Sequence, residues 1–322
     1  MRTLRFLFVV FAAVSLITFN SCKKGGSTPD PVPTVKPDTL SAGWSKLIVP
    51  TINLTDIVFN SSTTGYLVGA KTFKSTDGGN TWLELSSIGN FSNIFITNDS
   101  KAFFVGQTNS VYKTIDGGNN FTNTMISSRP YDVFFTDNTT GYSIAQDGLY
   151  NTVDAGVTWT KLATTGLVTT SNYSTLSFIN NTTGWVLTTG GIFKTNGSNL
   201  NWQPAVINGG IPSWGFASVH AVSASTVYAS NFGGQIFKSV DGGANFSFIK
   251  QLDTEAYTDL HFLTDLVGYA TAGRHIYKTT DGGVNWSKVV SMGTSALVEI
   301  HFTDATHGWA CGNDGVVLIF KQ

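Results

Sequence analysis

At 322 residues the chain can hold one large domain or two ordinary ones, and 41% hydrophobic residues with 34 glycines and 23 phenylalanines suit a core made of many short strands and turns. Only 12% of residues are charged and the net charge is -1, which excludes the basic face that nucleic acid requires. Two cysteines, Cys22 and Cys311, are too few and too differently placed for a disulfide framework.

The chain opens on Arg2 and Arg5, followed by the apolar run FLFVVFAAVSLITF, which is too short for a comfortable membrane span. The run ends in FNSC, a small residue directly before Cys22. This resembles the lipobox of bacterial lipoproteins, with Phe19 at the position where leucine is usual. The resemblance implies that residues 1–21 are a signal peptide, that Cys22 carries the lipid, and that the protein is held at the outer membrane of a bacterial envelope through that lipid alone. Cleavage there removes two basic residues and leaves the mature chain slightly more acidic. Residues 22–42 are rich in glycine and proline and lack apolar periodicity, so they read as a tether outside any core.

From residue 43 onward the chain repeats itself. The stretch GWSKLIV (43–49) precedes a first unit that opens with DIVFNSSTTGY (56–66) and continues into KSTDGGNTW (74–82). Openings of the same kind follow at residues 93, 132, 175, 218, 259 and 299, which makes seven. The box recurs around Asp116, Asp154, Asp241 and Asp281, with a worn copy, KTNGSNLNW, at 194–202. Neighbouring boxes lie about 40 residues apart, the length of a four-stranded propeller blade.

Within each unit an alternating apolar segment, a turn and a glycine-aromatic pair read as two strands of a hairpin. A third strand runs into the box, which turns the chain into a fourth. The carboxylates Asp77, Asp116, Asp154, Asp241 and Asp281 suit backbone capping in a tight turn whose glycines take positive φ. Five copies point to a structural clasp, since one enzyme does not need five active sites. The seventh unit stops at Gln322 without a fourth strand, while WSKL near residue 44 matches WSKV of the sixth unit. The expected architecture is an all-β, seven-bladed propeller over residues 43–322, in which the N-terminal strand completes the last blade and closes the ring.

The cadence of HFTDATHGW and TTDGGVNW resembles that of the BNR/Asp-box propellers, and most closely that of sequences similar to the photosystem II stability and assembly factor family. The resemblance covers residues 43–322 and implies a non-catalytic propeller that meets a protein partner. Sialidases with the same clasp bind a substrate carboxylate through three arginines. The mature chain has only Arg129 and Arg274, too few for that site and for the arginine-bearing surface of the assembly factors.

Three rings of repeat-equivalent residues remain as candidate sites. Where each inner strand begins stand Asp56, Asn93, Asp132, Thr175, Ser218, Asp259 and Glu299, all polar. They either form an electronegative channel mouth or bond neighbouring strands. In a glycan-cleaving alternative, two of Asp56, Asp132, Asp259 and Glu299 form an acid pair. Two residues further on, His220, His261 and His301 offer a transition-metal set or, alternatively, interblade packing. Two residues earlier, the positions Leu54, Phe91, Pro130, Tyr173, Phe216, Tyr257 and Leu297 place aromatics near the mouth or in the core. Tyr131, Tyr173 and Tyr257, with Trp214 in a long insertion, are the expected ligand contacts. The expectation is a monomeric binding propeller without cofactor, its partner a protein or a glycan.

Overall fold

The computed structural model describes residues 36–322 other than 52, 86–87, 165–166, 168–172, 189, 198–200 and 254–258. The expected signal peptide, Cys22 and Tyr257 lie outside the described residues. The described strands form seven sheets, antiparallel but for one added outer strand, and no helix occurs among these residues. The inner strands are Leu54–Phe59, Phe91–Asn98, Pro130–Phe135, Tyr173–Asn180, Phe216–Ala221, Leu260–Phe262 and Leu297–Phe302. Each touches the inner strands of both neighbours, and the last touches the first, so the sheets are seven blades around one channel.

Closure follows the expected route. Trp44–Ile48 pairs antiparallel with Val316–Lys321, from Trp44 opposite Phe320 to Ile48 opposite Val316, and supplies the fourth strand of blade 7. Trp44 is 8% exposed and sits edge-on to Phe302 at 6.2 Å. In blade 6 the box tryptophan Trp286 meets Phe262 in the same way at 5.9 Å. The N-terminal strand therefore replaces the missing box strand down to its aromatic.

Two additions were not expected. Thr39–Leu40, assigned to the tether, pairs with Ser291 and Val290 as a fifth strand on blade 6. Asp38 fixes this turn by accepting from the Gly293 amide at 2.7 Å and pairing with Lys46 at 2.7 Å. Val206–Asn208 of the long insertion runs parallel to the outer strand of blade 5. Both segments cover outer edges that would otherwise expose unpaired backbone groups.

The repeat's glycine-aromatic pair has a steric cause. At five blades the inner strand carries phenylalanine directly opposite glycine: Phe59/Gly65, Phe135/Gly141, Phe178/Gly184, Phe262/Gly268 and Phe302/Gly308. A Cβ at Gly308 would lie 2.3 Å from the Phe302 ring. In blade 2 the pair is Ile96/Ala102 and in blade 5 Ala221/Val227, so the partner grows as the inner residue shrinks. The ring lying over glycine also stacks on an aromatic of the preceding blade, as Phe59 does on Trp309 at 3.6 Å and Phe262 on Tyr228 at 3.6 Å. Such pairs contribute about 0.5–1.5 kcal/mol beyond area burial.

The Asp boxes are clasps. Ser75 donates to Asp77 and accepts from the Gly79 amide, while Asp77 accepts from both the amide and the hydroxyl of Thr81. Gly78 and Gly79 take φ of 73° and 85°, which a side chain would resist. The lysine before three of the boxes reaches forward, Lys74 to the Gly117 carbonyl, Lys113 to that of Ala155 and Lys238 to that of Gly282, tying those blades to their successors. All five box aspartates are held below the ordinary carboxylate range by these bonds.

Candidate functional site

Inner strands start on the face opposite the boxes, because each blade is an up-and-down meander and the boxes link third to fourth strands. On that face the channel opens into a cavity of about 220 Å³ to which all seven blades contribute. Six of the inner strands carry a bulge at the same step, for example between Leu54 and Asp56 and between Phe91 and Asn93. The bulge breaks the two-residue alternation. Leu54, Phe91, Pro130, Phe216 and Leu297 therefore turn into the core, and the residues after them, Thr55, Ser92, Tyr131 and Ala217, line the mouth. Of the two readings open for this ring, mouth or core, these residues take the core. Tyr131 stands in the mouth as expected, with the Arg129 guanidinium 5.7 Å from its ring. Arg129 also donates to the Gly106 carbonyl at 2.9 Å.

The acids act mainly across blade junctions. Asp56 accepts from the Ile94 amide of the next blade at 2.6 Å, Asp132 from Leu176 at 2.8 Å and Asp259 from Ile300 at 3.1 Å. The junction between blades 2 and 3 lacks this clasp. There Val133, which Asn93 would reach by analogy, donates to Asp132 instead, and Asn93 Oδ1 is buried without a partner. Asp259 and Glu299 share a hydrogen bond. No glycosidic bond fits between carboxyls in direct contact, since such enzymes hold theirs about 5–10 Å apart. Asp56 and Asp132, buried on separate blades, are committed to backbone. Three of the four acids named for the glycan-cleaving alternative thus accept backbone amides of the following blade.

Burial raises every one of these carboxyls. Asp56 is pushed up to about 8 and Asp132 to about 6, chiefly by loss of water, and Asp259 and Glu299 are raised together, with mutual repulsion adding to the effect on Glu299. Between about pH 4 and 8 these acids thus hold protons in the folded protein that they have lost in the unfolded chain, and the stability they contribute falls as pH rises across that window. The box aspartates act oppositely, their contribution being lost as pH falls below about 4 toward 2. The three buried histidines, held below their ordinary range, oppose the acids up to about pH 6.5, so thermal melts should decline chiefly from there toward pH 8, by about 2 kcal/mol or roughly 5 °C. Asp56→Asn, which keeps an acceptor for Ile94, should flatten that decline. An undiminished decline in the variant would refute the assignment.

The histidines also serve the junctions. His220 Nε2 bonds the Phe262 carbonyl at 3.1 Å and His301 Nε2 bonds the Phe59 carbonyl at 2.9 Å. Their rings flank His261, with centroids 4.9 and 5.2 Å from it. Burial lowers all three, His220 and His301 to about 4. No group of three His, Cys, Asp or Glu side chains among the described residues is arranged to hold a metal ion, so the metal alternative finds no site there.

Residues 36–159 match the family model described as photosynthesis system II assembly factor YCF48. The match runs from the strap on blade 6 through the closing strand to the box of blade 3. This propeller is similar to the assembly factors. A solved structure titled YCF48 bound to D1 peptide is 18% identical, covers 89% of this chain and 99% of its own, and superposes with a TM-score of 0.72. YCF48 from Cyanidioschyzon merolae is 21% identical over 87% of this chain and 99% of its own, with a TM-score of 0.71. A GH74 xyloglucanase from Xanthomonas campestris is 12% identical over 85% of this chain and 52% of its own, at 0.67. At such identities the structural likeness establishes the fold alone. No curated protein matches the sequence.

In this assembly-factor-like propeller the remaining expected contacts are divided. The backbone of Tyr173 lies in the inner strand of blade 4, while its side chain is outside the described set. Trp214 lies on the mouth face but in a cavity of its own beside blade 5. Sequence reasoning missed Thr55, Ser92 and Arg129 as mouth residues, and only the bulge could have signalled the first two.

Proposed function

We propose that this protein is a non-catalytic binding propeller that captures an extended peptide segment of a partner protein at the channel mouth. The observation that carries the reading is the mouth itself. Side chains of all seven blades converge there, and Asp56, Asp132 and Asp259 are engaged as clasps between blades. Tyr131 and Arg129 supply an aromatic face and a cation, while Glu299 and Asp259 face them with capacity for a peptide's cationic or amide donors. The likeness to a propeller solved with a peptide favours peptide over glycan as occupant.

The same proposal includes lipidation at Cys22 and an outer-membrane location. The chain enters the propeller beside Gly293, after the outer strand of blade 6 on the face that carries the mouth, where a Cβ would lie 2.0 Å from the Lys36 carbonyl. The test is retention of envelope proteins on immobilised propeller, followed by binding of synthetic peptides from the retained partner. Tyr131→Ala should weaken peptide binding at least about tenfold with little change in melting. Undiminished binding by Tyr131→Ala, or loss of retention on deglycosylating the extract, would contradict the reading.

A further inference from the structure

Trp214 breaks the economy of the rest of the chain. It is 69% exposed, whereas Trp185, Trp202 and Trp309 are fully buried. It is nevertheless firmly placed. A turn in which the Gly215 amide donates to the Pro212 carbonyl presents it, and its pyrrole edge lies so close over Gly233 that a Cβ there would be 2.7 Å from Cδ1. An aromatic held rigid and left exposed is the arrangement of a ligand platform, since it loses little freedom on binding. Beside it lies a cavity of about 450 Å³, within the roughly 300–1,000 Å³ of small-ligand sites.

The chemistry of the rim selects the occupant. Gln235 accepts from Asn231 through Oε1, and Asn231 is itself oriented by accepting the Gly233 and Gln235 amides. That network leaves Gln235 Nε2 as a donor. Gln251 spends both amide hydrogens on the Gly233 and Asp253 carbonyls, leaving Oε1 as an acceptor. Ser213 adds a hydroxyl, and no charged side chain lines the cavity. Two aromatic side chains, Trp214 and Phe232, with one amide donor, one amide acceptor and no charge, complement a ring with an apolar face and vicinal hydroxyls. We infer that Trp214, Gln235 and Gln251 form a binding site for a neutral pyranose, separate from the channel mouth and independent of the peptide reading.

The experiment is saturation-transfer NMR on the propeller with neutral trisaccharides of β-glucose, α-glucose, β-galactose and β-N-acetylglucosamine, paired with indole fluorescence. At least one trisaccharide should receive saturation and quench the indole. Trp214→Ala should weaken that binding at least about tenfold, Trp214→Phe should retain most of it, and both variants should melt as wild type does because the side chain is exposed. Tyr131→Ala should bind the sugar normally, so failure of the peptide reading would leave this result standing. Silence from all four sugars, binding that survives Trp214→Ala, or quenching by a proline-rich decapeptide in place of any sugar would overturn the assignment.

Discussion

Removal of residues 43–49 is expected to turn the propeller into aggregating protein. The lost strand leaves Val316–Lys321 as an open, largely apolar edge, from Val316 to Phe320, that a second chain can pair with. It also empties the aromatic site between Phe302 and Phe320, where Trp44 lies 6.2 and 5.3 Å from the two rings. The point variant Trp44→Ala isolates the packing part. Truncation of a buried tryptophan costs about 3–5 kcal/mol, which at this size lowers Tm by roughly 10 °C. Sedimentation and melting of both variants decide the matter. Unchanged solubility of the truncation and unchanged melting of Trp44→Ala would mean that the ring does not depend on its N-terminal strand.

Gly308→Val should be among the most damaging single substitutions in the chain. The added Cβ would meet the Phe302 ring at 2.3 Å, and that ring is pinned on its other side by Tyr269, stacked at 4.0 Å. Ordinary overpacking costs about 1–3 kcal/mol where neighbours can shift, and here the neighbour is held, so a larger loss follows. Blade 5 indicates the cure, because Ala221 there faces Val227 without conflict. Phe302→Ala by itself loses the stack and is destabilising. In its background, however, Gly308→Val should cost at least about 2 kcal/mol less than in wild type. Denaturant titrations of the four proteins give that coupling directly. Additive losses would show that the recurring Phe-Gly pair is coincidence and not packing.

The fold was legible because propellers repeat. Five intact boxes, seven inner-strand openings and the match between residues 44–47 and 286–289 specify blade number and closure without any knowledge of side-chain contacts. The junction role of Asp56, Asp132 and Asp259 was open in the sequence as one of two readings, since a polar ring at the start of inner strands suits either a mouth or a clasp. Coordinates were needed to find the neighbouring amides of Ile94, Leu176 and Ile300. The makeup of the mouth was not legible. A bulge adds one residue to a strand without a distinctive composition, so Phe91 and Phe216 stayed open between mouth and core, where they belong, and Thr55 and Ser92 went unseen. Thr39–Leu40 was hidden for a similar reason. Two residues in a proline-rich stretch carry no periodicity, and only the outer edge of blade 6 gives them a partner.

Site-specific photo-cross-linking in envelope extract tests the central functional claim most directly. A benzoylphenylalanine at position 131 faces the mouth, whereas one at position 153 occupies an exposed site in the Asp box of blade 3 on the opposite face. Irradiation should join a partner polypeptide to position 131 and none to position 153. Adducts from position 153 alone, or a nonprotein adduct at 131, would contradict peptide capture at the mouth.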